Sequence, residues 1–397
     1  MLAPPAGPHI VTLGCRLNIA ESESIRALLG SRDVVVVNSC AVTNEAVRAT
    51  RAAIRRARRE RPHAELVVTG CAATIDPVGI GAMAEVDRVV GNMAKLTADA
   101  WGAIGDAPAP QFSGHARAFV EVQNGCDHSC TFCAIPAGRG PSRSIPAGVL
   151  VERIAALVAA GHNEIVLTGV DVTSYGADLP GQPTLGHLVE RILRLVPSLP
   201  RLRLSSLDGV EIDARLFDLV TGEPRVMPHL HLSLQAGDDM ILKRMKRRHT
   251  RAQSVALVER LKARRGDIAI GADLIAGFPT EDDAMFANSR ALIDDCDIVH
   301  AHIFPYSPRA GTPAARMPQV SPPVVKARAA DLRERAAARR GAWLRSLGGT
   351  QQHILVERPG DRGHAANFAE VRLSERHEPG TILTTHITAT SDGTLTA

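Results

Sequence analysis

Short apolar runs alternate with helical patterns along the amino-terminal part of the chain. His9–Leu13, Val34–Val37 and Leu66–Thr69 have the continuous apolar character of strands in a parallel sheet, and Val86–Val90 is a weaker fourth run. Each strand is followed by a stretch with the composition and spacing of a helix. Strands and helices that alternate in this way indicate an open α/β domain, which we place at residues 1–106.

The same alternation recurs after a proline-containing linker near residues 104–115. The strand-like runs beyond this linker are Arg117–Val122, Glu164–Thr168, Arg201–Ser205, His229–Ser233, Asp267–Asp273 and Ile298–Phe304. These six β/α units in series predict a parallel sheet curled into a partial (β/α)6 barrel. We place this core at residues 112–346 and expect its site at the carboxyl ends of the strands.

The pattern changes again after a long helical segment at Ser321–Leu347. Short runs of β-branched residues follow, separated by Gly, Pro and Asp, at Gln352–Glu357, Ala369–Leu373 and Gly380–Thr388. They predict a small β-barrel of the oligonucleotide-binding type at residues 347–397. Phe368 is its only aromatic residue, which limits base stacking, and a packing module without a ligand is the alternative.

Composition narrows the class of protein. A chain of 397 residues that is 45% hydrophobic is globular and long enough for several domains. No apolar run reaches the length of a membrane span, and Met1–Pro8 lacks the features of a signal peptide. Seven cysteines, an odd number, argue against a secreted disulfide framework. We therefore expect a cytoplasmic protein without a membrane segment.

The charge is small in total but uneven along the chain. The net charge is +4, yet Arg48–Arg61 holds seven Arg against one Glu, in a segment that should be helical. Arg48, Arg51, Arg55 and Arg58 fall on one face of that helix, and Lys243–Arg248 adds five basic residues. Such runs are compatible with RNA binding, and the alternative is an ordinary solvated helix face.

Cys126, Cys130 and Cys133 form a C-x3-C-x2-C loop directly after the first barrel strand. Cysteine thiolates at such spacings hold iron–sulfur centres. Three ligands on a four-iron cluster leave one iron open for another molecule. A zinc site lacks its fourth ligand here, since His128 is badly placed to join all three sulfurs, and a disulfide would leave one spare thiol.

Cys15, Cys40 and Cys71 each follow the end of a predicted strand of the amino-terminal domain. The carboxyl ends of parallel strands lie at one edge of a sheet, so these three thiols should meet in space. The sequence therefore predicts a second metal centre, with three unrelated buried cysteines as the alternative. The seventh cysteine, Cys296, has no partner in this pattern and is interpreted as structural.

The cysteine loop, with Phe132 before its last cysteine, resembles the radical S-adenosylmethionine superfamily. The tract Ala134–Ser144 that follows is similar to one branch of it, the methylthiotransferases, as are the tracts Gly14–Asn18, Asn38–Thr43 and Thr69–Cys71. The resemblance implies two 4Fe–4S clusters, one on each cysteine triad, and S-adenosylmethionine as cosubstrate. It implies that the first cluster cleaves S-adenosylmethionine to a radical, and that the second holds or supplies the sulfur that replaces a C–H hydrogen as C–S–CH3.

The resemblance also assigns residues to S-adenosylmethionine, in loops that follow the barrel strands. These residues are Phe132, Gly169, Val170, Asp171, Ser205, Ser206, Gln235, Asp273 and Ile275. Residues assigned to the substrate are Arg139, Tyr306 and Arg309, the last two in a segment that lies over the reaction cavity in the family. Each residue alone is compatible with ordinary turn chemistry, and their order along the barrel gives the set its weight. His231 and His302 are assigned no role.

Within the family, the tracts Asn38–Ala46 and Phe304–Pro318 are closest to the branch that acts on N6-threonylcarbamoyladenosine at position 37 of tRNA. The resemblance then implies that C2 of this base is methylthiolated, and that the carboxyl-terminal barrel is a TRAM domain. The expected partners are the tRNA anticodon loop, a reducing electron donor and a sulfur source, with the protein acting as a monomer. The alternatives are N6-isopentenyladenosine of tRNA, an aspartate of a ribosomal protein, or a non-catalytic iron–sulfur protein that binds RNA or senses redox state.

Overall fold

The computed structural model describes residues 7–103, 112, 114–391 and 393–397. Most of the linker predicted at residues 104–115 lies outside these residues. The expected fold class is confirmed, with an amino-terminal α/β sheet, a parallel β/α core and a carboxyl-terminal curled sheet. No helix in the described part of the chain is both long enough and apolar enough to cross a membrane.

The amino-terminal sheet contains four parallel strands in the order β1-β2-β3-β4. Alternate residues of β2 point to two separate apolar clusters, one built on each face of the sheet, which explains why its valines are continuous. The predicted fourth strand is present but only two residues long. The elements are β1 (His9–Thr12), α1 (Arg16–Leu29), β2 (Val34–Ser39), α2 (Asn44–Glu60), β3 (Glu65–Gly70), α3 (Cys71–Ile75), α4 (Pro77–Gly81) and β4 (Arg88–Val89).

The central core contains the six predicted strand positions, all parallel. The predicted strands are β5, β8, β9, β11, β12 and β13, and a short additional strand, β10, is separated from β9 only by Ser205. Together these strands form a sheet β5-β8-β9 and a sheet β10-β11-β12-β13. The elements are β5 (Ala118–Glu121), β6 (Gln123–Asn124), α5 (Ile135–Arg139), β7 (Arg143–Ser144), α6 (Ala147–Ala159), β8 (Glu164–Thr168), α7 (Leu185–Leu195), β9 (Arg201–Leu204), β10 (Ser206–Leu207), α8 (Ala214–Gly222), β11 (His229–Gln235), α9 (Asp239–Arg244), α10 (Arg251–Arg264), β12 (Ala269–Ala276), α11 (Asp283–Asp295), β13 (Ile298–Pro305) and α12 (Pro322–Ser346).

The carboxyl-terminal unit is a six-stranded sheet around its own apolar core, with the order β17-β14-β15-β16-β19-β18. Its strands are β14 (Gln351–Glu357), β15 (Arg362–Ala365), β16 (Glu370–Arg372), β17 (Ile382–His386), β18 (Ala389–Ser391) and β19 (Thr394–Thr396). Its one aromatic residue, Phe368, packs against the central core, because the guanidinium groups of Arg203 and Arg117 lie 4.9 Å and 5.6 Å from its ring. Phe368 is therefore part of the contact between this sheet and the barrel.

A buried ion cluster fills the amino-terminal end of the barrel strands. Glu164 is fully buried and its carboxylate accepts from the side chains of Arg203 and Arg117, each at 2.9 Å, while Arg201 lies 3.7 Å away. Burial by itself would raise the pKa of Glu164, but these arginines outweigh it and lower the pKa to about 2. The carboxylate is thus ionised at neutral pH and compensates several buried cations.

We expect Glu164→Gln to destabilise the protein by about 3–5 kcal/mol at pH 7, because it leaves buried arginines without a counter-charge. The folded pKa lies below the ordinary value of 4.5, so this stability is present above pH 4.5 and is lost as the pH falls towards 2. Thermal unfolding between pH 7 and pH 3 measures both effects, and the difference between variant and wild type should shrink at low pH. Glu190→Gln removes an exposed pair with Arg215 and is the control, expected to change stability by less than about 1 kcal/mol.

Candidate metal centre

The structure brings Cys15, Cys40 and Cys71 to one edge of the amino-terminal sheet. Cys15 directly precedes α1, Cys40 follows β2 and Cys71 begins α3, so each lies at the carboxyl end of a neighbouring strand. A Cβ atom on Gly14 would lie 2.9 Å from the Cys40 sulfur, which shows how closely the first two segments approach. Burial raises the pKa of the Cys40 thiol, and the nearby Cys71 and Cys15 raise it further. The three thiols thus form one group, as the strand positions predicted.

The triad of Cys126, Cys130 and Cys133 lies on the loop between β6 and α5. The backbone N–H of Cys126 donates to Gly140 O at 3.1 Å, which ties the start of the loop to the end of α5, and the N–H of Cys133 donates to Cys130 O at 3.2 Å within the loop. Backbone N–H groups also reach the sulfurs of Cys126 and Cys133, both at 3.4 Å, and Arg247 Nη1 donates to the Cys130 sulfur at 3.7 Å. Hydrogen bonds of this kind to cysteine sulfur tune the reduction potential of iron–sulfur clusters.

Gly125 is required by the geometry of this loop. Its φ is +74°, and a Cβ there would collide with the carbonyl oxygen of Pro141. We expect Gly125→Ala to displace the adjacent Cys126 and to weaken metal binding at this loop by about 10–100-fold, as loss of a supporting contact does in other metal sites. Iron binding at limiting iron measures the effect. Gly148→Ala is the control, because a Cβ on Gly148 meets no atom within 4 Å, and equal iron binding by both variants would contradict the prediction.

The donor atoms present fit iron–sulfur clusters. All six cysteines of the two triads are free thiols. Burial raises the pKa of Cys126 to about 12 and that of Cys133 to about 11, so metal binding at this loop must displace protons. Cys126, His128 and Asp171 also place one sulfur, one nitrogen and one oxygen within 4.8 Å of each other. That set would suit a single divalent ion, but it leaves Cys130 and Cys133 unused.

The two triads face each other across one interface. Asn92 connects them, because its side-chain amide donates to the Cys71 sulfur at 3.6 Å and to Gly138 O, in the helix after Cys133, at 2.5 Å. A Cβ on Gly138 would lie 3.3 Å from the Cys71 Cβ, so α5 approaches α3 closely. Groups held by the two triads would therefore be neighbours.

Arg139, assigned to the substrate in the sequence analysis, is instead buried at this interface. Its side chain is 2% exposed, and the guanidinium donates to Glu21, Asn18 and Asn124. Burial alone would raise the pKa of Glu21, but the cations of Lys95 and Arg139 outweigh it and lower the pKa. The geometry gives Arg139 a place between the two triads and no exposed face for a substrate.

The loop Gly169–Asp171 lies beside Cys126 of the loop triad. The backbone N–H groups of Val170 and Asp171 donate to Gln123 Oε1 at 3.2 Å and 2.8 Å. A Cβ on Gly169 would lie 2.6 Å from Gln123 O, so the close approach that requires a glycine is made to β6. Asp171 Oδ2 lies 2.7 Å from His128 Nε2 and 4.0 Å from the Cys126 sulfur. The His128 bond to Asp171 raises the pKa of the histidine, despite its partial burial.

Several other residues assigned to S-adenosylmethionine have polar groups or surfaces without a protein partner. Ser205 lies between β9 and β10, directly before Ser206. Its Oγ is buried and makes no hydrogen bond within the described residues. Gln235 has a φ of +66° at the end of β11, where the register with β12 shifts. Phe132 and Ile275 share an apolar cluster with Tyr306, whose buried hydroxyl also lacks a partner. The Ser205 and Tyr306 hydroxyls are thus buried without a hydrogen-bond partner within the described residues.

Asp273 lies between two histidines to which the sequence assigned no role. Its Oδ1 is 2.9 Å from His231 Nε2 and 3.1 Å from His302 Nδ1. Burial would raise the pKa of Asp273, but the two histidine bonds lower it strongly. Gly271 makes room for this arrangement, because a Cβ there would lie 2.6 Å from His231 Nδ1. The parallel register of β11, β12 and β13 places these three side chains on one face of the sheet. This register is the feature from which the contact between Asp273 and the two histidines could have been predicted.

Arg309 ties the segment after β13 to the amino-terminal domain. Its Nη1 donates to Asn44 Oδ1 at 2.7 Å, and the Asn44 side chain donates to Pro308 O at 3.1 Å. Arg309 is 9% exposed. The structure therefore uses it to hold this segment against the start of α2, close to Cys40 in the chain.

The arginine face of α2 is largely neutralised. Arg51 pairs with Asp76 at 3.2 Å and Arg58 with Asp87 at 2.5 Å, and Arg55 lies 3.9 Å from Glu85. The basic run at residues 243–248 is also partly paired, because Arg247 and Arg248 both bind Asp208. Many basic side chains in both runs therefore pair with acidic residues of the protein itself. For those residues, this favours an ordinary structural role over RNA binding.

Two stretches of the chain match described families. Residues 120–293 match the Radical SAM superfamily. Residues 8–91 match a family described as uncharacterized protein family UPF0004. The first stretch contains Cys126, Cys130 and Cys133, and the second contains Cys15, Cys40 and Cys71.

Relatives are similar over nearly the whole chain. A threonylcarbamoyladenosine tRNA methylthiotransferase, MtaB, of Rickettsia prowazekii is 46% identical, covering 97% of this chain and 96% of the relative. The protein of the same name from Thermotoga maritima is 32% identical, covering 88% and 86%. A tRNA-2-methylthio-N(6)-dimethylallyladenosine synthase of Maricaulis maris is 33% identical, covering 94% and 91%.

Solved structures of radical S-adenosylmethionine enzymes share the fold. The methyltransferase TsrM from Kitasatospora setae superposes with a TM-score of 0.52 at 18% identity, covering 71% of this chain and 64% of that chain. The cobalamin-dependent enzyme OxsB superposes with a TM-score of 0.50 at 12% identity, covering 72% and 46%. At such identities the likeness shows the fold alone.

Proposed function

Since the chain belongs to the methylthiotransferase family of radical S-adenosylmethionine enzymes, we propose that it replaces the C2 hydrogen of N6-threonylcarbamoyladenosine, at position 37 of tRNA, with a methylthio group. One observation supports this most directly. The fold brings six cysteines from separate parts of the chain into two triads that face each other across one interface. A reaction that both cleaves S-adenosylmethionine and inserts sulfur needs two such centres side by side.

The cysteine triads divide the chemistry. Cys126, Cys130 and Cys133 would hold a 4Fe–4S cluster that supplies the electron for cleaving S-adenosylmethionine, and Cys15, Cys40 and Cys71 a cluster that supplies sulfur. Arg247 and the loop N–H groups donate to the sulfurs of Cys126, Cys130 and Cys133. Asn92 does the same for Cys71. The protein thus contributes position and electrostatics, while the cofactors contribute the reactive groups.

We propose that the residues assigned to S-adenosylmethionine form one binding site next to Cys126, Cys130 and Cys133. The buried Ser205 hydroxyl offers an unused hydrogen-bonding group, and Phe132 and Ile275 offer an apolar wall. Gly169, Val170 and Asp171 form the loop beside Cys126. We propose that Gln235, Ser206 and Asp273, on the later strands, complete this site.

The choice of base is supported by the relative that is 46% identical and acts, by its name, on threonylcarbamoyladenosine. Relatives named for the dimethylallyl base are similar at a lower level, such as 33% for the one from Maricaulis maris. The tract Asn38–Ala46 supports the same choice, because it follows the threonylcarbamoyl pattern on both sides of Cys40. The reaction also requires a reducing electron donor and a sulfur source. We further propose that the protein is a cytoplasmic monomer with domains at residues 1–106, 112–346 and 347–397.

Purified protein with both clusters reconstituted tests the substrate. Anticodon stem-loops with threonylcarbamoyladenosine or isopentenyladenosine at position 37 are each incubated with S-adenosylmethionine and dithionite under anaerobic conditions. We expect 5′-deoxyadenosine and the methylthio product with the first RNA, and about tenfold less product with the second, since loss of matched polar contacts is costly. If the product forms only with the isopentenyladenosine RNA, the proposed substrate is wrong and isopentenyladenosine takes its place. Absence of 5′-deoxyadenosine with either RNA would favour a non-catalytic iron–sulfur protein.

A further inference from the structure

We infer that Arg139 and Glu21 form a buried clamp that fixes the position of the two cysteine triads relative to each other. This inference rests on the proposed function, in which both triads act on the same base. Arg139 is the last residue of α5, the helix after Cys133, and Glu21 lies on α1, the helix that begins after Cys15. The pair therefore connects the segment that carries one triad to a segment that carries the other.

The clamp has a defined geometry. Arg139 Nη1 donates to Glu21 Oε1 at 2.7 Å, and its Nη2 donates to Glu21 Oε2 at 3.2 Å and to Asn18 Oδ1 at 2.5 Å. Asn18 in turn accepts from the Cys15 sulfur at 3.7 Å, so one chain of contacts leads from Arg139 to a cysteine of the first sheet. A planar guanidinium bound at two edges permits one orientation, whereas apolar contacts permit sliding.

A third segment joins the same contacts. Asn124 lies immediately before the cysteine loop, and its Oδ1 accepts from Arg139 Nη1 at 3.0 Å while its Nδ2 donates to Glu21 Oε1 at 3.2 Å. Arg139 and Glu21 are 2% and 0% exposed in their side chains. Arg139 cannot leave Glu21 without placing a cation that lacks a counter-charge inside the protein, which is costly. Contacts with Asn18, Asn124 and α5 together fix both ends of the cysteine loop against the start of α1.

Removal of Arg139 would loosen the clamp without leaving Glu21 unpaired. Lys95 Nζ lies 2.5 Å from Glu21 Oε2 and remains as its counter-charge. The variant Arg139→Met should therefore fold and bind both clusters. Cleavage of S-adenosylmethionine needs only the triad on the loop, whereas sulfur insertion needs both triads at the correct separation. The two half-reactions should become uncoupled.

The experiment compares the reconstituted wild type, Arg139→Met and Arg139→Lys. For Arg139→Met we expect iron content and 5′-deoxyadenosine formation within about twofold of wild type. The yield of methylthio product per 5′-deoxyadenosine should fall at least about tenfold, because small displacements of reacting groups have effects of this size. The Lys variant keeps the charge but not the two-edged geometry, so its ratio should lie between the other two. The dipolar coupling between the two reduced clusters, measured by EPR, should differ from wild type in both variants.

The control is Arg203→Met. Arg203 is as buried as Arg139 and pairs with a buried carboxylate, Glu164, that keeps Arg117 as a partner. Its guanidinium donates to Glu164 and to Ala366 O and to no triad cysteine within the described residues. This variant should lose stability while keeping the product ratio and the dipolar coupling. A changed ratio in the control equal to that of Arg139→Met would assign the effect to general instability and overturn the clamp.

A wild-type ratio and wild-type coupling in Arg139→Met would also overturn it. If that variant does not fold, Arg139→Lys decides, since unchanged ratio and coupling there contradict the clamp and a change in both supports it. The dipolar coupling is measured without RNA, so it tests the clamp even if the wild type methylthiolates none of the RNAs offered. In that case the proposed function fails and the clamp is judged on the coupling alone.

Discussion

Cys130→Ala should reduce formation of 5′-deoxyadenosine to the background level of protein without iron. Two thiols, Cys126 and Cys133, cannot hold the cluster that three hold, and the Arg247 contact to the Cys130 sulfur is lost as well. The iron content of the reconstituted protein should fall from about eight to about four per chain. Iron and sulfide assays with chromatographic detection of 5′-deoxyadenosine measure both changes.

The matched control for this prediction is Cys296→Ala. Cys296 is a fully buried free thiol in the apolar core of the barrel, and it is outside both triads. Its removal should cost about 1 kcal/mol of stability and leave iron content and 5′-deoxyadenosine unchanged. Full cleavage activity in Cys130→Ala would show that this loop is not the site where S-adenosylmethionine is cleaved.

Cys71→Ala should separate S-adenosylmethionine cleavage from sulfur insertion, whereas Cys130→Ala should abolish both. The loop triad remains intact, so 5′-deoxyadenosine should form within about twofold of wild type, while methylthiolated RNA should fall to background because no second cluster delivers sulfur. The iron content should again fall to about four per chain. Mass spectrometry of the digested RNA gives the product yield.

The contrary result would be informative about the second triad. If Cys71→Ala still methylthiolated RNA at the wild-type rate, Cys15, Cys40 and Cys71 would not form the centre that supplies sulfur. Loss of both products would instead indicate that the variant disturbs the loop triad through Asn92, which contacts both Cys71 and α5. Circular dichroism and EPR of the remaining cluster distinguish these two cases.

Sequence reasoning was strongest where local patterns determine position. The continuous valines of Val34–Val37 are buried on both faces of the sheet, and this explains why the run identified a parallel strand. A cysteine one to three residues after each of three parallel strands predicted a common edge, and the strand order places Cys15, Cys40 and Cys71 there. The six barrel strands were likewise located from strand-like runs in the sequence.

Contacts between distant parts of the chain were not visible in the sequence. The arginines of α2 suggested a surface for RNA, but Arg51 and Arg58 pair with acids in later elements. Arg139 belongs to a motif typical of the family, yet its partner Glu21 lies more than a hundred residues earlier. Pairing of charges depends on which elements the fold places side by side, and that information is absent from residue type and local spacing.

Phe368 shows the same limit in the carboxyl-terminal sheet. As the one aromatic residue of that region it was considered for base stacking, but the structure packs it against Arg203 and Arg117 at the base of the barrel. Only the docking of the sheet on the barrel reveals this role.

The most direct test of the central claim is mass spectrometry of tRNA nucleosides from cells with and without the gene. The account predicts that 2-methylthio-N6-threonylcarbamoyladenosine disappears when the gene is deleted, that N6-threonylcarbamoyladenosine accumulates, and that the wild-type gene restores the modification while Cys130→Ala and Cys71→Ala do not. Loss of the methylthio-isopentenyl nucleoside instead would contradict the substrate, and unchanged nucleosides in the deletion strain would contradict a role in tRNA methylthiolation.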